Sequence, residues 1–94
     1  MNLNKIEATV TNRDSLEISY DLHYAEGGNY IPFDEPIYFD ISSHSFIFKD
    51  TAYTNMEDAK AAAVTYVIDD LLNEREKINE RLTMLRKLIG ESNG

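Results

Sequence analysis

From Thr54 to Ile89 the chain reads as one uninterrupted helical pattern of about 35 residues, which at 1.5 Å rise per residue is roughly 50 Å long. A sheet of ordinary strands is only about 20 Å deep along its strands. A chain of 94 residues folds as one domain with a modest core. It has no surface of its own long enough to cover such a helix, so the far half is expected to be covered from outside the protomer.

The segment before the helix carries period-two alternation. Leu16, Ile18, Tyr20, Leu22 and Tyr24 alternate with Glu17, Ser19, Asp21 and His23, the pattern of a strand with one buried and one wet face. Ile6, Ala8 and Val10 predict a strand before it, and Asn12-Arg13-Asp14-Ser15 supplies turn chemistry between the two. Ile37, Phe39 and Ile41 predict a third strand and Phe46 and Phe48 a fourth, joined by Ser42-Ser43-His44-Ser45. The expected fold is α+β: a four-stranded antiparallel sheet in the order β-β-β-β-α over residues 1–50, with one long C-terminal helix over 54–89 packed on it and extending beyond it, and a flexible tail at 90–94.

The helix signals agree with one another. Thr54 and Glu57 have capping-box spacing, Glu57 and Asp58 suit the positive end of the dipole, Arg86 and Lys87 the negative end, and Gly90 marks a stop. Ala59, Ala62, Ala63, Tyr66, Val67 and Leu71 form a wide apolar arc for the sheet, where small alanines let the backbone approach Phe39, Phe46 and Phe48. Beyond it Ile68, Leu71, Arg75, Ile78, Leu82, Leu85 and Ile89 alternate at spacings of three and four, a narrow heptad seam suited to another helix. Asp69, Asp70, Glu74 and Glu76 precede Lys77, Arg81, Arg86 and Lys87. Antiparallel copies bring unlike charges together, whereas parallel copies set Arg81 near the partner's Arg86. A homodimer through antiparallel C-terminal helices is expected, with Leu71, Arg75, Ile78, Leu82, Leu85 and Ile89 at the interface. The competing expectation is a seam that docks on its own sheet or breaks near Asn73.

The formal net charge is -8. Residues 1–55 carry nine acids against three bases, and residues 56–94 eight against six. Binding nucleic acid directly through its phosphates needs a basic footprint, so this balance points instead to a basic protein partner. The wet face of the sheet gathers Glu7, Glu17, Asp21, Tyr38 and Asp40, and a loop from Ala25 to Pro36, turned at Gly27-Gly28 and stiffened by two prolines, presents Tyr30, Ile31 and Phe33 beside Asp34 and Glu35. The loop aromatics have a second reading, in which they fold back as a small satellite core.

Catalytic and cofactor patterns are not legible. Cysteine is absent, which excludes disulfides, thiolate zinc sites and a cysteine nucleophile. His23 lies on a strand and His44 in a turn, and no nucleophile has a plausible base near it in sequence; Asp69 and Asp70 diverge by about 100° on a helix, and Glu26-Gly27-Gly28 lacks the context of a phosphate loop. Asp21 and His23 point the same way and could bind a divalent metal if Glu17 or Asp40 joined them. The expectation is a non-enzymatic chain with no metal and no cofactor. Met1 to Lys5 leads directly into the first strand and no run approaches about 18 apolar residues, so a soluble, cytoplasmic protein that engages no membrane is expected.

In size, acidity and the order of a sheet followed by a helix, the whole chain resembles the small acidic proteins that bacteriophages encode against host defences, anti-CRISPR proteins among them. No motif accompanies the resemblance. It implies a setting in the host cytoplasm and inhibition of a basic target such as a nuclease, with carboxylates occupying a groove meant for phosphates. The candidates here are Glu7, Glu17, Asp21, Asp34, Glu35 and Asp40. Alternatively, the chain is an assembly component whose long helix joins a larger bundle.

Overall fold

The computed structural model describes residues 3–93, with side chains described through residue 90. A short 3-10 turn, Leu3–Lys5, leads into six strands, β1 (Glu7–Arg13), β2 (Glu17–Glu26), β3 (Asn29–Ile31), β4 (Ile37–Asp40), β5 (Ser45–Phe48) and β6 (Thr51–Tyr53), followed by one helix, α1 (Met56–Asn93). The strands pair antiparallel in the order β1-β2-β4-β5-β6, and β3 folds back onto the far end of β2. The α+β class is as expected. The strand count of four is not, because β3 and β6 are too short to show alternation and exist through their pairing. Gly27 and Gly28, at φ of 57° and 82°, turn the chain so that Tyr24, Ala25 and Glu26 pair with Ile31, Tyr30 and Asn29. The expected loop therefore begins as a hairpin. Lys49, at φ 56°, makes the turn that sets Thr51 opposite Phe48.

Register explains which side chains meet the helix. Ala8 lies opposite Leu22, Tyr20 opposite Ile37, and Ile37 opposite Phe48, so these residues share one face. Leu22, Ile37 and Phe48 join Leu3, Ile6, Ala59 and Ala63 in the buried core. Ala59 and Ala63 are fully buried, the close approach expected of small residues, while Tyr66 stacks edge-on against Phe48 with ring centroids 5.8 Å apart. Lys60 Nζ donates to the Ile6 carbonyl at 2.7 Å and ties the helix to the first strand's entry. A bulge between Val10 and Asn12 shifts the β1 register. At that end of the sheet Leu16, expected inside, stands in the turn and is exposed.

The helix differs from expectation at both ends. Asn55, not Thr54, caps it: its Oδ1 accepts from the Asp58 amide at 2.8 Å and its carbonyl from the Ala59 amide at 3.3 Å. Gly90 does not stop it, since the helix runs on to Asn93 in place of the expected tail at 90–94, of which Gly94 lies outside the described residues. A Cβ at Gly90 meets nothing within 4 Å. Gly90→Ala is therefore expected to reduce fraying of the last turns by up to about 1 kcal/mol, read as increased helicity in far-UV circular dichroism.

Thirty-eight helical residues span about 57 Å. The molecule measures 67 × 30 × 24 Å with a radius of gyration of 19.1 Å, against about 12 Å for a compact domain of this length. The excess is the helix. Every described residue from 68 to 90 is exposed, so the C-terminal half leaves the sheet rather than docking on it, and it does not break at Asn73.

Candidate functional site

Two surfaces and one cavity concentrate the residues with binding chemistry. The first surface is the sheet face turned away from the helix. Pairing sets Glu7 opposite His23, Thr9 opposite Asp21, Glu17 opposite Asp40, and Tyr38 between Ser19 and Ile47. The structure thus brings Glu7, Glu17, Asp21, Tyr38 and Asp40 onto one face. Glu17 and Asp40 oppose each other directly, an arrangement of like charges that destabilises a strand pair. Part of the strain is offset at the turn, where the Ser42 amide and hydroxyl donate to Asp40 Oδ1 at 3.0 and 2.8 Å. The Ser42 hydroxyl, with backbone amides behind it, holds the Asp40 carboxyl below its usual 3.8.

Asp14 occupies a similar position in the β1–β2 turn. The Glu17 and Leu16 amides donate to its Oδ1 at 2.9 and 2.8 Å and hold its carboxyl below 3.8. Because the folded values lie below the unfolded one, the stabilisation is fully present above about pH 4 and is lost as pH falls through the folded values. In Asp14→Asn the part of the acid-side stability loss belonging to that turn should vanish. The unfolding free energy from urea titrations should fall less steeply between about pH 5 and pH 2 than in the wild type.

The hairpin tip and the loop after it divide the remaining candidates. Tyr30 is 61 % exposed, whereas Phe33 packs against the core. Asp34 is exposed and Glu35 half-buried. The Tyr24 hydroxyl donates to Glu26 Oε2 at 2.5 Å, and that bond, with burial, pushes the phenol above 10.0.

The second surface is the seam of α1. Ile78, Leu82 and Leu85 are 49, 42 and 57 % exposed, with Leu88 beside them also exposed. Arg75 lies in the same stripe. The wide apolar arc and the narrow seam overlap at Leu71, and there the cavity lies. About 400 Å³ in volume, it sits between the root of the seam, at Val64, Val67, Ile68 and Leu71, and a wall of Leu3, Ile6, Tyr24, Ile31 and Phe33, with Lys5 beside it. Sequence reasoning missed it because Ile31 belongs to a strand that alternation did not reveal. The spacing i, i+3, i+4, i+7 of Val64, Val67, Ile68 and Leu71, which sets four large apolar side chains on one helix face, was the available signal.

Among the described residues no group of three or more His, Cys, Asp or Glu could hold an ion. The Glu17–Asp40 row lies further along β2 than Asp21 and His23, so neither acid completes a site with them. No helix among the described residues is long and apolar enough to cross a membrane. Comparison with protein-family models, curated proteins and solved structures finds no match for this chain.

Proposed function

We propose that this chain is a non-enzymatic binding protein that dimerises through the C-terminal halves of two antiparallel helices and offers an acidic sheet face to a basic protein. The observation that carries the reading is the exposed row Ile78, Leu82 and Leu85 on a helix that has left its own sheet. Exposed apolar residues scattered singly need no explanation, but a contiguous stripe marks an interaction site. Dimerisation predicts a solution mass of twice 10.8 kDa.

The acidic face supports the second half of the proposal, since Glu7, Glu17, Asp21 and Asp40 share a rigid surface with Tyr38. Charge there sets the rate and specificity of encounter with a basic target, and a nucleic-acid-handling protein such as a nuclease is the kind of target that the resemblance to phage anti-defence proteins implies. The test compares two double variants of equal net charge, Glu17→Lys with Asp21→Lys and Asp69→Lys with Asp70→Lys, against a lysine-rich peptide at low salt. The sheet variant should lose binding at least tenfold and the helix variant should resemble the wild type. Equal losses would mean that net charge alone attracts the probe. Asp40 is left in place because its carboxylate also holds the Ser42 turn.

A further inference from the structure

The cavity at the root of the seam and the charges along it fix how two copies fit, provided the dimer proposed above forms. In an antiparallel pair whose seam residues interleave, the helices can slide only by whole heptads, and each step brings different flanking residues together. Setting Ile78 against the partner's Leu82 places Arg81 beside the partner's Arg81 and Arg75 beside the partner's Arg86. Sliding two heptads the other way places Glu74 beside the partner's Glu74. Between these lies one register, with Leu71 against the partner's Leu82 and the twofold axis between Glu76 and Lys77. There Glu74 meets the partner's Arg81 twice by symmetry, and Arg75 lies beside the partner's Asn79, whose amide oxygen can accept from it.

We propose that the dimer adopts this middle register and that the cavity is the seat of the partner's last helical turns. Leu82 of the partner subunit falls on Leu71, the partner's Leu85 on Ile68, and the partner's Leu88 on Val67. These are three of the four helical residues that line the cavity. The same slide that pairs the charges therefore carries apolar side chains into the apolar cavity at the helix root. Tyr24, Ile31 and Phe33 form its far wall, so the partner helix touches the sheet domain as well as the helix. The cavity and the seam are one continuous surface, and a second copy of this chain is its occupant.

The chain has no cysteine, so introduced thiols report alone. Chains carrying Val67→Cys are mixed with chains carrying Leu88→Cys, and Glu74→Cys with Arg81→Cys, then treated with a short thiol-to-thiol cross-linker. Both mixtures should give cross-linked heterodimers at least tenfold in excess of either variant alone. Light scattering on the same samples separates the two claims. A dimeric mass with Arg81→Cys cross-linking to itself, and the 67–88 mixture silent, overturns the register and leaves the dimer standing. A monomeric mass overturns both.

Discussion

Leu82→Asp should convert the dimer to a monomer at concentrations where the wild type is fully paired. Leu82 is 42 % exposed in the single chain, and burying that remainder against the partner's Leu71 contributes somewhat under half of the roughly 1.5–3 kcal/mol available to a leucine side chain. The substitution acts at two symmetry-related places and leaves a carboxylate in an apolar layer at each, which costs about 1–3 kcal/mol more even where water reaches it. The total is about 3 kcal/mol or more, a loss of at least roughly a hundredfold in affinity. Because Leu82 lies far from the core cluster, the sheet and the first half of the helix should unfold at nearly the same denaturant concentration as the undimerised wild type. The second half should behave differently. A helical extension of about 20 residues without packing is marginal in water, so far-UV circular dichroism should report a fall in helicity with the mass. A monomeric variant of unchanged helicity would show that the extension is stable by itself.

Ile37→Ala is the opposite case, a change that should damage the single chain. Ile37 is 0 % exposed, on the central strand β4, between Tyr20 of β2 and Phe48 of β5. Removing its branched end leaves a void that Leu22 and Phe48 cannot fill without shifting the sheet. The expected cost is about 2–5 kcal/mol. For a domain of this size that is a large share of the total stability. The midpoint of urea unfolding should fall sharply with little change in slope, and dimerisation should add stability back with the logarithm of protein concentration. Ile47→Ala, one strand over on the opposite face, should cost much less, because Ile47 is only half-buried.

The long, regular features were legible in the sequence and the short, cooperative ones were not. Alternation located β1, β2 and β4 because each has apolar residues at every second position, and Phe46 and Phe48 after the Ser-Ser-His-Ser turn located β5. Asn29–Ile31 and Thr51–Tyr53 are strands only because β2 and β5 offer them edges, a property of the fold rather than of three residues. The cap was misplaced by one residue because Thr54 and Asn55 both have capping side chains, and the choice depends on how Met56 enters the core. At Gly90 the helix continues because glycine stops a helix only when it takes a left-handed conformation. Gly27 and Gly28 do so and Gly90 does not. On the candidate surfaces, register placed Glu7, Glu17, Asp21, Tyr38 and Asp40 together as the alternation implied. Phe33 went inward, since a large aromatic beside an apolar hollow is more stable covering it than facing water.

Sedimentation equilibrium of the unmodified chain, from micromolar to millimolar concentration, decides whether the helices pair. A reversible rise from 10.8 kDa to twice that value is expected, with no further growth, because a twofold pairing closes on itself. A mass that stays at that of one chain up to millimolar concentration would contradict it.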